Sequence, residues 1–304
     1  MKKNDVKIVF MGTPEFSVPS LVKLHNEFGV CLVVTNPDKP SGRGLKLTPS
    51  PVKEKAIELG IPILQPEKIR DPKFYEQIQT VEPDIIVVIA FKILPPEVFK
   101  SARIASFNVH PSLLPKYRGP APINWQIIEG ERETGLTTFV LQEEVDAGNI
   151  ILQWKYEIPD GFTAGDLHDF LAPLAGDIAV ETCKILLEGN YTLKKQDDSL
   201  ATKAPKIFPE NCQIDWNDDC KKIRNFIHGV SPTPGAWTLI DDKRFKIYRC
   251  EYEIANHNEI IGKPIFTKNR IIFPCNNGFI IPVEVQMEGK KKMSAKEFLL
   301  GYRT

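Results

Sequence analysis

The sequence predicts an α/β fold, in which a doubly wound, mostly parallel sheet is followed by a small C-terminal β-barrel. Two observations lead to this prediction. Unalternating apolar runs in the first part of the chain are separated by helix-like segments, as in sheets that helices cover on both faces. The last third instead contains short strand-like runs between turn residues, which is typical of small barrels. With 304 residues, the chain is long enough for two domains.

Strands and helices alternate in the first third of the chain. The predicted strands are Lys7 to Met11, Val30 to Thr35 and Asp84 to Ala90, and the predicted helices between the last two are Pro51 to Gly60 and Lys73 to Val81. Thr13 is expected to cap a further helix that begins at Pro14, because proline suits the first helical position. In such a sheet, ligands bind beyond the carboxyl ends of the strands.

Residues 35–51 form a long segment without periodicity. The segment contains four prolines and two glycines, so we predict a loop. Loops of more than about 12 residues inside compact domains are commonly functional. This one also carries the basic residues Lys39, Arg43 and Lys46.

The remainder of the first domain is predicted to hold three strands and two helices. The strands are Ala102 to Val109, Thr137 to Leu141 and Ile150 to Ile158, and the helices are Ile123 to Glu129 and Thr163 to Glu188. The last helix is amphipathic and is expected to break near Pro173. It closes a first domain at residues 1–189, and a polar linker at 190–208 leads to the second domain at 209–304.

The second domain is predicted to begin with a short helix, Cys220 to His228, and to continue as a barrel. Its predicted strands are Ala236 to Ile240, Arg244 to Tyr252, Gly262 to Ile265, Ile271 to Cys275 and Gly278 to Val285. The net charge of the whole chain is zero, but residues 221–304 hold fifteen Lys and Arg against eight Asp and Glu. This part is therefore basic and suits a polyanionic partner.

Composition predicts a soluble protein of the cytoplasm. The chain is 42% hydrophobic and 26% charged, and it contains neither a signal peptide nor a run of about 18 apolar residues that could span a membrane. The six cysteines form no Cys-x-x-Cys pair, so we expect reduced thiols without a zinc ribbon. The histidines His25, His168, His228 and His257 are isolated, and no metal site is predicted.

Asn108 and His110 stand at the end of a predicted strand, two residues apart. On an extended strand, side chains at this spacing project to the same side. An amide beside an imidazole can stabilise an oxyanion and move a proton. From the spacing alone, the favoured interpretation is that the two side chains cap the strand end and hydrogen-bond a turn.

The string Asn108-Val-His-Pro-Ser-Leu-Leu-Pro115 resembles the signature of the folate-dependent formyltransferases. In that family Asn-x-His and a downstream Asp form the active centre, and Asp146 in Val-Asp-Ala-Gly matches the third position. The resemblance implies a Rossmann-like formyltransferase fold, 10-formyltetrahydrofolate as the formyl donor and catalysis by Asn108, His110 and Asp146. The chain departs from the pattern of the tRNA-formylating members at one position, because His110 is followed by Pro111. At this position the sequence is more similar to the family members of the purine pathway.

Within the family, the chain resembles over its whole length the members that formylate the α-amino group of methionine on initiator tRNA. Three features support this narrower resemblance: the start Phe10-Met-Gly-Thr-Pro-Glu-Phe16, the loop around Arg43, and the basic C-terminal domain, expected to be OB-like. In this interpretation, the loop enters the major groove of the tRNA acceptor stem. Arg43 then recognises the unpaired end of that stem, which marks the initiator tRNA. The protein is expected to act as a monomer.

The resemblance also implies contacts for the folate and for the tRNA. The folate contacts are expected from Ile89, Ala90, Phe91, Ser112, Leu113, Leu114 and Pro115. The substrate and tRNA contacts are expected from Gly12, Thr13, Pro14, Arg43, Lys46, Lys243, Arg244, Lys246, Arg249, Lys290, Lys291 and Lys292. The basic residues would neutralise phosphates without recognising sequence.

Two other functions remain compatible with the sequence. A sugar-amine formyltransferase would share the Asn-His-Asp centre and could have a C-terminal barrel, but it would not need Arg43 or the basic surface. A non-catalytic RNA-binding protein could keep the fold without turnover, which the intact triad opposes. A nicotinamide dehydrogenase is disfavoured because Gly12 is not part of a Gly-x-Gly-x-x-Gly sequence.

Overall fold

The computed structural model describes residues 6–41 and 46–302, and the chain divides into two compact units. The first unit comprises Met1–Arg118, Gly135–Tyr156 and His168–Lys203, and the second comprises Gly119–Thr134, Glu157–Leu167 and Ala204–Thr304. Both units are therefore discontinuous in sequence. The first residues of the predicted linker, through Lys203, belong to the first unit.

A seven-stranded sheet forms the centre of the first unit. The strands of the chain up to residue 157 are β1 (Ile8–Gly12), β2 (Val30–Val34), β3 (Lys39–Ser41), β4 (Lys46–Thr48), β5 (Ile63–Leu64), β6 (Ile85–Ile89), β7 (Ala105–His110), β8 (Glu133–Val140) and β9 (Ile150–Glu157). The spatial order of the sheet is β5-β2-β1-β6-β7-β8-β9. β1 pairs in parallel with β2 and β6, and β6 pairs in parallel with β7, whereas β8 is antiparallel to β7. The doubly wound, mostly parallel sheet is thus confirmed.

Helices cover this sheet. The helices of the chain up to residue 188 are α1 (Val18–Phe28), α2 (Pro51–Glu58), α3 (Pro72–Val81), α4 (Pro96–Phe99), α5 (Pro122–Ile128) and α6 (Ala164–Glu188). Of these, α5 and residues 164–167 of α6 belong to the second unit. Alternate residues of β1 and β6, such as Val9 and Ile86, pack with Phe74 and Ile78 of α3 in one core cluster. Every residue of β6 is buried, which explains its unalternating apolar sequence.

Three local predictions for the first unit are wrong. No α-helix begins at Pro14: a 3₁₀ turn at Glu15–Ser17 precedes α1, and the Thr13 hydroxyl accepts a hydrogen bond from the Asn36 amide instead of capping a helix. The predicted loop at 35–51 contains the antiparallel strand pair β3 and β4. Pro173 does not break α6, which runs through it as one helix of 25 residues.

The second unit contains an antiparallel sheet. Its further elements are α7 (Cys220–Gly229), β10 (Ala236–Ile240), β11 (Lys243–Ile254), β12 (Ile265–Phe266), β13 (Ile271–Cys275), β14 (Gly278–Met287), β15 (Met293–Ser294) and α8 (Ala295–Gly301). The strand order is β10-β11-β14-β13-β12, with β15 on β14. β10 and β12 lie at opposite ends of this order, so in the described part of the chain the predicted barrel is an open half-barrel.

An apolar core stabilises the second unit. The rings of Trp216 and Phe273 stack at 4.5 Å, and Phe245 packs edge-on against Phe298 at 5.2 Å. Phe298 belongs to α8, which the sequence analysis missed. The signal was present, because Ser294 and Glu297 form a capping box at the start of this helix. None of the helices described in either unit is long and apolar enough to cross a membrane.

Candidate active site

β7 brings Asn108 and His110 to the carboxyl edge of the sheet. Asn108 lies beside Val88 of β6 and Phe139 of β8, and His110 lies beside Thr137. His110 is only 4% exposed, and its Nε2 lies 2.8 Å from the carbonyl oxygen of Tyr117. A carbonyl can only accept, so Nε2 carries the proton, and in the neutral ring Nδ1 is the free acceptor.

Asp146 comes to the same place from the loop after β8. Its Oδ2 lies 4.0 Å from His110 Nδ1, and the two side chains are 12% and 5% exposed. This distance is too long for a direct hydrogen bond but fits one bridging group with polar hydrogens. The structure therefore brings the imidazole and the carboxylate together, with Nδ1 facing the acid.

The Asn108 side chain has an unsatisfied oxygen. Its Oδ1 is buried and has no hydrogen-bond partner among the described residues. A buried acceptor without a partner is costly and rare in folded proteins. It suits a site in which a substrate N–H supplies the missing donor.

Three non-glycine residues near the centre have left-handed backbones. Ala90, Tyr117 and Asp146 have φ of 49°, 63° and 56°. Each such residue costs on the order of 1 kcal/mol or more and persists where the surroundings fix it. At Tyr117 this conformation accompanies the carbonyl that binds His110, a role that the sequence analysis missed because no side chain signals it.

The first unit contains a cavity of about 510 Å³. Its walls come from residues between Phe99 and Ser106 and from the segment Val140–Glu144. Asn108, His110 and Asp146 do not line this cavity, but Ser106 and Glu144, which do, precede Asn108 and Asp146 by two residues each. None of these lining residues is among the predicted folate contacts.

The predicted folate contacts are placed in two environments. Ile89 and Ser112 are fully buried, and Leu114 is 3% exposed. The Ser112 hydroxyl donates to the Lys116 carbonyl, and the Leu114 amide donates to the Thr137 hydroxyl. These two groups therefore stabilise the fold of the segment after β7. Ala90 is exposed, while Phe91, Leu113 and Pro115 are half-buried. The folate role of all seven residues stays a prediction.

Gly12 has a packing explanation within the first unit. A Cβ at Gly12 would lie 2.9 Å from Phe10 Cε1 and 2.9 Å from Ser17 Cβ, so a side chain does not fit. Thr13 is half-buried and Pro14 exposed at the same strand end. Arg43 lies outside the described residues, and of Lys46 only its place in β4 is described. The substrate role of these residues stays a prediction.

The predicted basic residues of the second unit differ in how accessible their charges are. Lys243, Arg244, Lys290, Lys291 and Lys292 are exposed. Arg244 lies over the Trp237 ring, and Lys292 pairs with Glu284.

Lys246 and Arg249 are half-buried and already engaged. The Lys246 ammonium donates to the Pro234 carbonyl, and the Arg249 guanidinium bonds both Asp166 oxygens at 2.6 and 2.7 Å. These two residues are thus less suited to phosphate binding than the exposed five.

Across residues 6–41 and 46–302, no group of three or more His, Cys, Asp or Glu side chains could hold a metal ion.

The chain matches two family models. Residues 6–210 match the formyl transferase model, and residues 206–303 match the model of the formyl transferase C-terminal domain. The chain belongs to the formyl transferase family. Together the two models cover both the α/β part and the antiparallel sheet of this formyl transferase.

Similar curated proteins span nearly the same length. The methionyl-tRNA formyltransferase of Caldanaerobacter subterraneus subsp. tengcongensis is 44% identical over 98% of this chain and 97% of that protein. The methionyl-tRNA formyltransferase of Chlorobium phaeovibrioides is 43% identical over 100% of this chain and 97% of that protein.

Solved structures of other formyl transferases share the fold at lower identity. The N-formyltransferase from Helicobacter canadensis, solved with folinic acid and dTDP-3-aminofucose, matches with a TM-score of 0.69 and 22% identity, over 93% of this chain and 99% of that one. At this identity the likeness shows the fold alone.

Proposed function

We propose that the protein transfers the formyl group of 10-formyltetrahydrofolate to the α-amino group of methionine on initiator methionyl-tRNA. The observation that supports this proposal most is the near-full-length similarity to methionyl-tRNA formyltransferases, at 44% and 43% identity, which includes the C-terminal domain. The convergence of His110 and Asp146 beside Asn108 provides the chemistry that such a transfer needs.

In the proposed reaction, Asn108 and His110 stabilise the negative charge that develops on the formyl oxygen. The Asn108 amide nitrogen can donate to that oxygen, while its unpaired Oδ1 accepts an N–H of the attacking amine. His110 can donate from Nδ1 only when it is protonated, because Nε2 is bound to the Tyr117 carbonyl. The Asp146 Oδ2 lies 4.0 Å from this nitrogen.

Proton transfer is assigned to Asp146. The α-amino group of an aminoacyl ester has a pKa at or below roughly 7.7–8 and attacks largely as the neutral amine. As the new C–N bond forms and the old one breaks, the amine loses one proton and the folate nitrogen gains one. Asp146 accepts the first proton, directly or through a water, and the acid that results can return it.

The cavity of the first unit is our candidate for the folate. Its volume of about 510 Å³ suits a bicyclic ring, and its lining residues Ser106 and Glu144 precede Asn108 and Asp146 by two residues each. The buried Oδ1 of Asn108 without a protein partner is consistent with a ligand at this point. When bound, the folate would supply the formyl group, and the protein would supply orientation and charge stabilisation.

The second unit is proposed to position the tRNA. Five exposed lysines and arginines on or beside its sheet can neutralise phosphates. In this division, residues 1–189 act as the catalytic domain, and residues 209–304 bind tRNA. A cytoplasmic location, a monomeric state and recognition of the acceptor stem by Arg43 follow from the same proposal.

One experiment separates this function from sugar-amine formylation. Purified protein is incubated with 10-formyltetrahydrofolate labelled in the formyl group, with either charged initiator methionyl-tRNA or a dTDP-linked amino sugar as acceptor. We expect label on the tRNA and a kcat/KM at least about 10³-fold lower for the sugar, whose binding would leave polar groups unpaired. Transfer to the sugar alone would contradict the proposal.

A further inference from the structure

The segment that follows α6 contains one buried polar residue. From Thr192 to Leu200 every side chain is exposed except that of Gln196, which is 5% exposed. A glutamine in a surface segment gains nothing from burial unless its amide is fully hydrogen-bonded.

The Gln196 amide is bonded to the loop that presents Asp146. Its Nε2 donates to the carbonyl oxygens of Asp146 at 2.9 Å and of Gly148 at 2.8 Å. Both amide hydrogens are thus used on the backbone of one three-residue stretch. This stretch includes the left-handed residue Asp146, whose conformation needs such external support.

Arg118 fixes the orientation of the Gln196 amide. Its Nε and Nη2 donate to Gln196 Oε1 at 3.2 and 2.8 Å, so the amide oxygen faces the guanidinium and the nitrogen faces the loop. Arg118 also directly follows Tyr117, whose carbonyl holds His110 Nε2. Tyr117 therefore holds His110 through its own carbonyl, and the adjacent residue Arg118 holds the Asp146 loop through Gln196.

We propose that Gln196, oriented by Arg118, is a positioning residue that sets the Asp146 carboxylate at its distance from His110. This inference rests on the proposed function, in which Asp146 handles the proton. Gln196 contacts only the backbone of the Asp146 loop and is not itself a catalytic residue. A displacement of reacting groups by about 1 Å can cost on the order of 10²-fold in rate.

The test compares Gln196→Glu with Gln196→Ala. Glutamate keeps the volume and the bonds from Arg118, but it offers no donor to the two loop carbonyls, and its second oxygen repels them. We expect kcat for methionyl-tRNA formylation to fall about 10- to 100-fold in both variants, with KM for tRNA and for the folate within about twofold of wild type. Because the charge of glutamate is neutralised by Arg118, at least this variant is expected to fold.

Two controls separate positioning from loss of stability. Ile78→Val, on the buried face of α3, lowers stability by roughly 1 kcal/mol without removing any hydrogen bond of Gln196, and its kcat should be unchanged. Asp197→Asn alters the exposed neighbour of Gln196, and its kcat should also be unchanged. If Ile78→Val loses as much kcat as the Gln196 variants at a matched Tm, the positioning role is wrong.

A double-mutant cycle with Asp146→Asn gives the decisive readout. A residue that acts through Asp146 has no further effect once the carboxylate is gone, so Asp146→Asn/Gln196→Glu should be no more than about twofold slower than Asp146→Asn. Multiplicative losses, or full activity of both Gln196 variants, would overturn the inference and leave the proposed function intact. Full activity of Asp146→Asn would instead overturn the catalytic role of Asp146, and the positioning role with it.

Discussion

At the scale of single residues, the histidine illustrates both what the sequence predicts and what it does not. The two-residue spacing of Asn108 and His110 predicts side chains at one strand end, which the structure places there. The tautomer of His110 depends on the Tyr117 carbonyl, and a backbone carbonyl leaves no mark in the sequence. The side chains of the site could therefore be named in advance, but their protonation could not.

His228, in the second unit, makes stability depend on pH. The ring is 5% exposed, and Nε2 accepts a hydrogen bond from the Cys250 amide. Burial, reinforced by the positive charges of Arg224 and Arg249, lowers the pKa of His228 from 6.5 to about 4. The unfolded chain therefore binds more protons than the folded one between these values. The contribution to stability is complete above pH 6.5 and is lost as the pH falls towards 4, by up to about 3 kcal/mol.

The measurement is the free energy of unfolding in urea at several pH values between 4.5 and 7.5. Wild type should lose about 1 kcal/mol per pH unit more than His228→Gln in the lower half of this range, because glutamine can accept the same amide bond without titrating. Parallel curves for the two proteins would contradict the assignment.

At the scale of elements, the loop from Leu141 to Asn149 determines whether the centre assembles. It returns to β8, where the Val140 amide donates to the Asn149 carbonyl. A Cβ on Gly148 would lie 1.8 Å from the Val140 carbonyl oxygen, so only glycine allows this close approach.

Gly148→Ala is therefore expected to displace the Asp146 loop. Since the new methyl group cannot be accommodated without a backbone shift, kcat should fall at least about 10-fold. Gly301→Ala is the matched control, because nothing lies within 4 Å of its added Cβ and alanine favours helices. Its kcat should equal that of wild type. Normal turnover of Gly148→Ala would show that the loop position is not critical.

Strands and helices were predicted correctly where the burial of a segment agrees with its sequence periodicity. The predictions failed where contacts with other parts of the fold determine the local structure. The buried runs of β1, β2 and β6 are apolar throughout, and their strands were predicted within one or two residues. The break predicted at Pro173 is absent, and the Pro173 carbonyl accepts a bond from Lys23 in α1. The strand pair β3 and β4 was missed because each strand has only three residues and β3 includes Pro40.

At the scale of the whole molecule, charge is unevenly distributed along a neutral chain. The excess of basic residues lies after residue 220, and the exposed ones among the predicted tRNA contacts are carried on β11 and on the turn before β15. The sequence predicts this asymmetry but not which charges are accessible. Arg249 is neutralised by Asp166, so pairing in the folded unit changes the set of available contacts.

Binding of initiator tRNA should weaken steeply with salt. Each neutralised phosphate contributes roughly 0.7 to 0.9 to the slope of log K against log salt concentration. Lys290→Gln/Lys291→Gln removes two exposed charges and should lower the slope by up to about 2, with kcat unchanged. Lys268→Gln is the control, since Lys268 is exposed but distant in sequence from the predicted contacts. An identical slope in all three proteins would remove Lys290 and Lys291 from the interface.

The most direct test of the catalytic centre is the turnover of Asn108→Ala and His110→Ala with saturating 10-formyltetrahydrofolate and methionyl-tRNA. Each variant loses a group assigned to the developing oxyanion, so kcat should fall by at least ~10²-fold while the circular dichroism spectrum and Tm remain close to wild type. Near-normal kcat in either folded variant would contradict the assignment of that side chain to the reaction.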